Sequence, residues 1–283
     1  MIESSRLVLS TSILLQDLHW ASRPAAAVEL GYTTVESWWP WMDDVASIHD
    51  IARLRDALES SGATLYLMNL TEGNPRFGHR GLAGVPDADE SFWANVDSLL
   101  KVAAATGLRY VNALAGSVSA AGPAAGLETL IARLAEFADR AASLGIGVLV
   151  EQLNSVDHPD YLLTDPEVAV NVVERIRAAA QHSNVGLLAD VYHLGRAGID
   201  PVGFVRSHAS IIDHVQLADS PGRGAPGTGV LPIFETLTAL SEEGYAGRVG
   251  LEFKPGPGYL LPAPGDFMEL MRINSLGLQQ EGA

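Results

Sequence analysis

The stretch NVGLLADVYHLG at residues 184–195, followed by IIDHVQLADSPGRGAPGTG at residues 211–229, carries the pattern that predicts the fold of the whole chain. Each segment contains an apolar run that ends near a polar residue, Asp190 in the first and Gln216 in the second. An uninterrupted apolar strand is typical of a parallel sheet buried on both faces, and a polar residue at its end lies at the carboxyl edge. The two segments therefore predict neighbouring parallel strands that end at a common site.

The same pattern occurs on both sides of this stretch. In GVLVEQ at residues 147–152, Glu151 follows the apolar run. In RVGLEF at residues 248–253, Glu252 occupies the same position. Four consecutive units therefore offer a polar side chain at an equivalent position. We call these residues the strand-end quartet: Glu151, Asp190, Gln216 and Glu252.

Short β-rich runs alternate with helical patterns along the rest of the chain. The predicted strands are Leu7–Ser10, Thr33–Ser37, Thr64–Asn69 and Tyr110–Leu114, then four that end at Glu151, Asp190, Gln216 and Glu252. The predicted helices are Pro24–Leu30, Ile48–Ser60, Ser91–Thr106 with Ser91 as its cap, Leu127–Leu144, Pro166–Ala180 behind an Asp165 cap, Pro201–Ser207, Ile233–Glu243 and a last one from Asp266 to Ile273. Eight strand–helix units within 283 residues predict an α/β fold, a single (β/α)8 TIM barrel over residues 1–273 with a polar tail at 274–283. A doubly wound open sheet is disfavoured, because such a sheet gathers its site at one switch point rather than at four successive strand ends.

Composition excludes several classes of function. The formal net charge is −16, with 34 acidic against 18 basic residues, which opposes a nucleic-acid partner. The absence of cysteine excludes disulfides, a thiolate nucleophile and a cysteine-bound zinc. No apolar run approaches the ~18 residues of a membrane span, and the N-terminal segment has the pattern of a first strand rather than of a signal peptide. A cytoplasmic protein is therefore expected, with homo-oligomerisation left open.

The quartet supplies three carboxylates and one amide oxygen. Oxygen ligands without cysteine or histidine suit Mg²⁺ or Mn²⁺ better than zinc. Three carboxylates buried together would be costly without a cation, so one bound divalent metal is expected as cofactor. The alternative is that some of these residues bond helices or loops above the barrel.

Two members of the quartet can also move protons. Glu151 and Glu252 end the fifth and eighth strands and would stand on either side of a ligand in the barrel mouth. Such a pair suits proton removal at one carbon and delivery at its neighbour, with the metal stabilising the intermediate enediolate. The predicted partner is accordingly a small hydroxy-carbonyl compound.

Further candidates for substrate contacts lie in the loops. His193 follows Asp190 by three residues, and Arg223 lies in the Gly/Pro-rich loop after the seventh strand. A substrate oxygen for His193 and a substrate carboxylate for Arg223 are the functional interpretations. The alternatives are a surface histidine and a salt bridge that braces the loop.

The long irregular segment Leu70–Asp89 has the length and composition of a functional loop, and we expect it to close over the ligand as a lid. Its Phe77, His79 and Arg80 are unusual for a linker, and the last two are candidate substrate contacts. Packing on a neighbouring subunit is the alternative.

Other residues receive structural interpretations. We expect His214 to be a core residue and His158, His182 and His208 to be solvated. Trp38, Trp39 and Trp41 are expected to pack together or to form the wall of a pocket.

Six stretches resemble the hydroxypyruvate isomerase family of xylose-isomerase-like barrels. They are GYTTVE at 31–36, LMNLTEGNPRFGHRGLAGVP at 67–86, VEQLN at 150–154, ADVYH at 189–193, HVQLADSPGRGAPGTG at 214–229 and GYAGRVGLEFKP at 244–255. The resemblance spans most of the chain in order. It implies metal ligation by the quartet, an acid/base role for Glu151 and Glu252, and substrate contacts from His193 and Arg223.

The chain departs from the family pattern around the substrate rather than around the metal. Val230 stands where relatives usually have Glu after PGTG, His79 stands where an acidic residue is common, and the loop after the second strand is rich in Trp. The implied reaction is an aldose–ketose isomerisation, with hydroxypyruvate and tartronate semialdehyde as the first pair. A 2-oxo-tetronate isomerase, a ketose 3-epimerase and a metal-dependent polyol dehydratase remain alternatives. An endonuclease on the same fold would need more histidine ligands and a basic face, and a non-catalytic sugar-binding barrel would not need the quartet.

Overall fold

Eight parallel strands pair in chain order and close on themselves, β1 with β8, to form one barrel. The computed structural model describes residues 2–73 and 79–281, with side chains as far as residue 273. The strands are β1 (Leu7–Ser10), β2 (Thr34–Ser37), β3 (Thr64–Asn69), β4 (Tyr110–Asn112), β5 (Gly147–Glu151), β6 (Val185–Asp190), β7 (Ile212–Leu217) and β8 (Arg248–Leu251). The prediction of a single (β/α)8 barrel is confirmed, with each strand close to its predicted position.

Helices connect the strands and cover the outside of the barrel. They are α1 (Thr11–Leu14), α2 (Arg23–Glu29), α3 (Ile48–Ser61), α4 (Asp89–Thr106), α5 (Gly122–Ala142), α6 (Pro166–Ala179), α7 (Val191–Arg196), α8 (Pro201–His208), α9 (Ile233–Glu242) and α10 (Pro264–Glu281). Asp165 caps α6 as predicted, because its side chain accepts a hydrogen bond from the backbone N–H of Glu167. The short helices α1 and α7 follow β1 and β6 directly and are not apparent from the periodicity.

Three helix ends differ from the prediction. Ser91 is not a cap, because a 3-10 turn at Pro86–Ala88 leads directly into α4 at Asp89 and places Ser91 in the first helical turn. Helix α5 begins earlier than predicted, at Gly122, with a proline in its first turn. The backbone of α10 continues to Glu281, so the predicted tail from residue 274 extends the last helix.

Alternation along the strands decides which side chains face the inside of the barrel. Leu67, Leu149 and Leu188 form a small apolar cluster separate from the main core. Glu151 and Asp190 lie two residues beyond two of these leucines and share their face, since side chains alternate along a strand. The carboxylates therefore stand above an apolar plug at the carboxyl end of the barrel.

The main core lies between the outer face of the barrel and the helices. Its largest fully buried side chains include Phe92, Phe137, Phe253 and Phe267. Across residues 2–73 and 79–281, no helix is long and apolar enough to cross a membrane.

Candidate active site

A cavity of about 780 Å³ opens at the carboxyl end of the strands. Barrel enzymes place their chemistry at this end, because the loops that follow the strands converge there. The polar side chains in its lining are Trp38, Asn69, Glu72, Arg80, Glu151, Asp157, His158, Tyr192, His193, Arg196, Arg223, Glu252 and Lys254. The cavity thus contains both glutamates of the predicted quartet.

Glu151 and Glu252 are both buried, with 4% of each residue exposed. Asn112 Nδ2 donates to Glu151 Oε2 at 2.7 Å, and Trp38 Nε1 donates to Glu252 Oε1 at the same distance. One oxygen of each carboxylate is therefore held by a neutral donor. Asn112 lies at the end of β4, and Trp38 lies directly after β2. Apart from these positions, nothing in the sequence marks either residue as part of the site.

Burial raises the pKa of the Glu151 carboxyl well above its usual value, and the charges of Glu252 and Asp190 add to this effect. Burial also raises the pKa of Glu252 to about 7; Arg223 opposes that rise, while Glu36 and Asp190 add to it. Burial and the neighbouring carboxylates therefore make ionisation of both glutamates costly.

The other two members of the quartet are adjacent. Asp190 on β6 pairs in register with Gln216 on β7. Asp190 Oδ1 also caps α7 by accepting from the backbone N–H of Tyr192, which fixes the carboxylate at the strand end. Gln216 Nε2 donates to Glu36 Oε1 at 2.8 Å. Its Oε1 atom is buried and has no hydrogen-bond partner among the described residues.

Glu36 is a buried acid that the strand-end pattern does not place in the site. It is the second-to-last residue of β2, is 1% exposed, and accepts hydrogen bonds from both Gln216 and His214 inside the barrel. His214 is fully buried, so its structural interpretation agrees with the structure. Glu36 holds the Gln216 amide in one orientation, with the amide oxygen directed away from Glu36.

A second combination of possible metal ligands is present. One ligand atom from each of Glu151, Asp190 and His193 lies within 4.8 Å of the others, so these three residues could hold a metal ion. His193 is 1% exposed and lies in α7, whereas the sequence suggested a loop position. Two of the predicted metal ligands and one predicted substrate contact are therefore close together.

Arg223 forms ion pairs with two of the carboxylates. Its Nη2 donates to Asp190 Oδ2 at 3.1 Å and also to Glu252 Oε2, while its Nε donates to the backbone oxygen of Glu252. Its guanidinium also lies over the Tyr192 ring, 5.7 Å from the centroid. Arg223 thus lines the cavity and pairs with two members of the quartet.

The loop that carries Arg223 is organised by one aspartate. The Asp219 carboxylate accepts hydrogen bonds from the backbone N–H groups of Ser220, Gly227, Gly229 and Leu231. Gly229 passes so close to Ser220 that an added Cβ would lie 2.1 Å from the Ser220 oxygen. We call this arrangement, residues 219–231, the Asp219 loop. It fixes the position from which Arg223 enters the site.

Part of the segment predicted as a lid is a fixed wall. Gly81 N donates to the backbone oxygen of Glu72, and residues 82–86 are held by the buried Arg133, which donates to four of their carbonyl oxygens. Among the described residues, Arg80 lines the cavity with its Nη1 3.8 Å from Glu72 Oε2, whereas His79 packs against Gly73 and does not line it. Phe77 lies outside the described residues. Closure of the whole segment over a ligand stays a prediction.

His158 was expected to be solvated and instead faces the cavity. It is half-buried, its ring lies 5.7 Å from that of His193, and burial together with Arg80 lowers its pKa to about 4. A short loop after β5 turns it inward. Its neighbour Asp157 accepts hydrogen bonds from Tyr192 Oη, Asn154 Nδ2 and Arg196 Nη2.

This network predicts a pH-dependent contribution to stability from Asp157. Burial opposes ionisation, but the hydrogen bonds outweigh it and lower the pKa of Asp157 from 3.8 to about 2. A depressed pKa stabilises the folded state above the unfolded value, and that contribution is lost as pH falls through the folded value. We expect the difference in unfolding free energy between wild type and Asp157→Asn to shrink as the pH falls from about 4 to about 2. Urea unfolding at several pH values measures it. The exposed Asp160→Asn is the control, and equal pH dependence for both variants would contradict the assignment.

Comparison with known proteins agrees with the barrel fold. The model of the family described as "Xylose isomerase-like TIM barrel" matches residues 24–272. A protein of Streptomyces coelicolor named putative hydroxypyruvate isomerase is 38% identical over 254 residues, covering 89% of this chain and 91% of its own. A 2-oxo-tetronate isomerase of Cupriavidus necator is 30% identical, covering 89% and 94%. A crystal structure from Brucella melitensis, of a protein named AP endonuclease, family 2, superposes with a TM-score of 0.80 at 29% identity, covering 88% of this chain and 93% of its own.

Proposed function

We propose that this chain, which belongs to the xylose isomerase-like TIM barrel family, is a metal-dependent isomerase that interconverts an α-hydroxy ketone and an aldehyde through an enediolate. Its relatives carry isomerase names, and the chain is an enzyme of that class. Hydroxypyruvate and tartronate semialdehyde are the proposed substrate pair. The observation that carries the proposal is the pair Glu151 and Glu252, both buried in one cavity and each held by a neutral donor.

The residues present fit a divalent cation. Three carboxylates and the Gln216 amide share the strand ends, and Arg223 alone does not balance three negative charges. The Gln216 oxygen is buried without a hydrogen-bond partner among the described residues, which is the environment of a ligand atom rather than of a packed amide. We therefore assign the strand-end quartet as the ligands of one Mg²⁺ or Mn²⁺. When bound, the cation would supply positive charge against the oxygen atoms of the enediolate.

The chain's own groups move the protons. One glutamate removes a proton from the hydroxymethyl carbon of hydroxypyruvate, and the resulting charge spreads onto the neighbouring carbonyl oxygen. The other glutamate delivers a proton to the carbon that carried that carbonyl. The hydroxyl proton passes from the first oxygen to the second, so that ketone becomes alcohol, alcohol becomes aldehyde, and no atom is gained or lost. Each carboxyl must change protonation state in every turnover, and each is held in place for this by a neutral donor.

The cavity contains cationic groups that could bind an acidic substrate. Arg80, Arg196, Arg223 and Lys254 line it together with the carboxylates of Glu72, Glu151, Asp157 and Glu252. A carboxylate gains charge-assisted hydrogen bonds from such groups, which a neutral sugar does not. We propose that Arg223 and Arg80 contact the substrate carboxylate and that His193 contacts a substrate oxygen. His79 remains a candidate from the sequence, outside the cavity lining.

A 2-oxo-tetronate is the second candidate substrate. The Cupriavidus necator relative carries that name, and a cavity of about 780 Å³ is roomy for an acid of three carbons. The same glutamates would act on the longer acid. The Brucella melitensis protein is named as an endonuclease, but binding of a nucleic acid would require a basic face, and the acidic composition of this chain opposes it.

Turnover of each candidate in D₂O, followed by NMR, tests the proposal. We expect hydroxypyruvate to be converted with deuterium incorporated at the new C–H position, because the glutamate that delivers the proton exchanges it with the solvent. Removal of metal by EDTA should abolish turnover, and Mg²⁺ or Mn²⁺ should restore it. Samples without enzyme control for spontaneous enolisation. Full activity of metal-free protein would refute the role of the cation, and turnover of ketohexoses alone would refute the acidic substrate.

A further inference from the structure

The hydrogen bonds around His193 determine which of its ring nitrogens carries a proton. His193 Nδ1 lies 3.1 Å from the backbone nitrogen of Asn154 and 2.8 Å from Asn154 Nδ2. The backbone N–H can only donate. His193 Nδ1 is therefore an acceptor toward that group, and an acceptor nitrogen in imidazole carries no proton.

The side-chain amide of Asn154 has its orientation fixed by Asp157. The backbone N–H of Asp157 donates to Asn154 Oδ1 at 2.8 Å, so this atom must be the amide oxygen. The other amide atom lies 3.0 Å from the Asp157 carboxylate oxygen Oδ2, which can only accept from it. Both contacts agree that the NH₂ group faces the ring, so Nδ1 accepts from Asn154 twice.

The second ring nitrogen faces the site. His193 Nε2 is 3.6 Å from Asp190 Oδ2, beyond hydrogen-bond distance, and it is buried without a hydrogen-bond partner among the described residues. Because Nδ1 accepts from N–H donors, the ring cannot be the doubly protonated cation; it is neutral and carries a single proton. With Nδ1 occupied as an acceptor, that proton is on Nε2. A buried N–H without a partner is costly, which indicates that a ligand atom completes it.

We propose that Asn154 is a positioning residue that holds His193 as the Nε2–H tautomer, so that His193 donates a hydrogen bond to a substrate oxygen and is not a metal ligand. The identity of that oxygen, the carbonyl or alkoxide of an enediolate, rests on the proposed function; the tautomer does not. The tautomer also decides between the two possible sets of metal ligands, the strand-end quartet and the group that includes His193. Nε2 cannot offer a lone pair to a cation while it carries a proton, so Glu151 and Asp190 would share the metal with Gln216 and Glu252 instead.

Nitrogen NMR of the full-length protein labelled with ¹⁵N-histidine tests the tautomer directly. The chain has eight histidines, and the His193 signals are identified by their loss in His193→Gln. At neutral pH we expect a protonated-type shift for Nε2 and an unprotonated-type shift for Nδ1. These shifts should persist with saturating Mg²⁺ and then Zn²⁺, which are both diamagnetic. A protonated Nδ1 in the wild type, or loss of the Nε2 proton on addition of either metal, would overturn the proposal.

Asn154→Asp tests the positioning role, because it replaces the NH₂ donor by an acceptor of the same shape. We expect the His193 proton to move toward Nδ1 and kcat to fall by ~10²-fold with a smaller change in KM, the pattern of a hydrogen bond made mainly in the transition state. Asn154→Ala removes the side-chain donor but keeps the backbone donor, so it should retain the Nε2–H shifts and lose less activity. Equal losses in the two variants, with unchanged His193 shifts in both, would show that Asn154 acts only through folding.

The outcomes separate this inference from the proposed function. If no candidate substrate is turned over but the wild type shows the Nε2–H tautomer, the isomerase proposal falls and the assignment of His193 stands. If hydroxypyruvate is isomerised and Nδ1 carries the proton, the isomerase proposal stands and the role of Asn154 falls.

Discussion

Glu151→Gln and Glu252→Gln are each expected to lower kcat by at least ~10²-fold, the usual scale for loss of a general acid or base. Gln keeps the shape of the side chain and can still accept the hydrogen bonds from Asn112 and Trp38, but it cannot exchange a proton. Steady-state turnover of hydroxypyruvate with saturating Mg²⁺ measures the loss. Glu136→Gln is the matched control, because it makes the same substitution at an exposed residue outside the cavity lining.

Isotope exchange distinguishes the two glutamates. The variant that lacks the base should neither form product nor exchange the substrate C–H with D₂O. The variant that lacks the acid should still exchange that C–H while forming little product. Metal content must be measured in both variants, since both residues are assigned to the cation as well. Near-normal turnover in either variant with metal bound would remove that residue from the acid/base pair.

Arg223→Ala is expected to destabilise the metal-free protein by ~3–5 kcal/mol, the scale for removing one partner of a buried ion pair. Arg223 bridges Asp190 and Glu252, and both carboxylates are nearly inaccessible to water. A bound cation would neutralise the same carboxylates, so the deficit should shrink when Mg²⁺ or Mn²⁺ is added. Urea unfolding with EDTA and with saturating metal measures both values.

Arg196→Ala is the control for this experiment. Arg196 pairs with Asp157 at 3.2 Å, and both side chains are about one-third exposed, so its removal should cost below ~1 kcal/mol with or without metal. A deficit of Arg223→Ala that does not change with metal would contradict the assigned cation site. Kinetics test the substrate role separately: a loss of ~1.5–3 kcal/mol, mainly in KM and only for acidic substrates, is expected for a carboxylate anchor.

The sequence predicts most of the architecture because each strand and helix has a local signal. Buried strands ending in polar residues and helices stopped by glycine are visible without tertiary contacts, and the four strand-end residues follow from them. The last helix shows the limit of such signals. Its polar sequence suggests a tail after residue 273, yet its backbone continues to Glu281 without an interruption.

The parts of the site that local patterns do not reveal depend on contacts across the barrel. Glu36 lies 180 positions from Gln216 along the chain, and Trp38 lies 214 positions from Glu252. Such partners become apparent only when β2 is placed inside the closed barrel. His158 and Asn154 are likewise inconspicuous in the sequence, since their importance comes from a turn after β5 that brings the His158 ring and the Asn154 amide against α7.

The Asp219 loop has a practical consequence for observing the enzyme. Its shape depends on one carboxylate and on backbone N–H groups, so the side chain of Val230, 79% exposed, contributes little to it. The chain has no cysteine, and a thiol introduced by Val230→Cys would therefore be unique. A fluorescent dye attached there would sit on the same short loop as Arg223, beside the cavity. Ligand entry could then be followed optically in real time, without a chromogenic substrate.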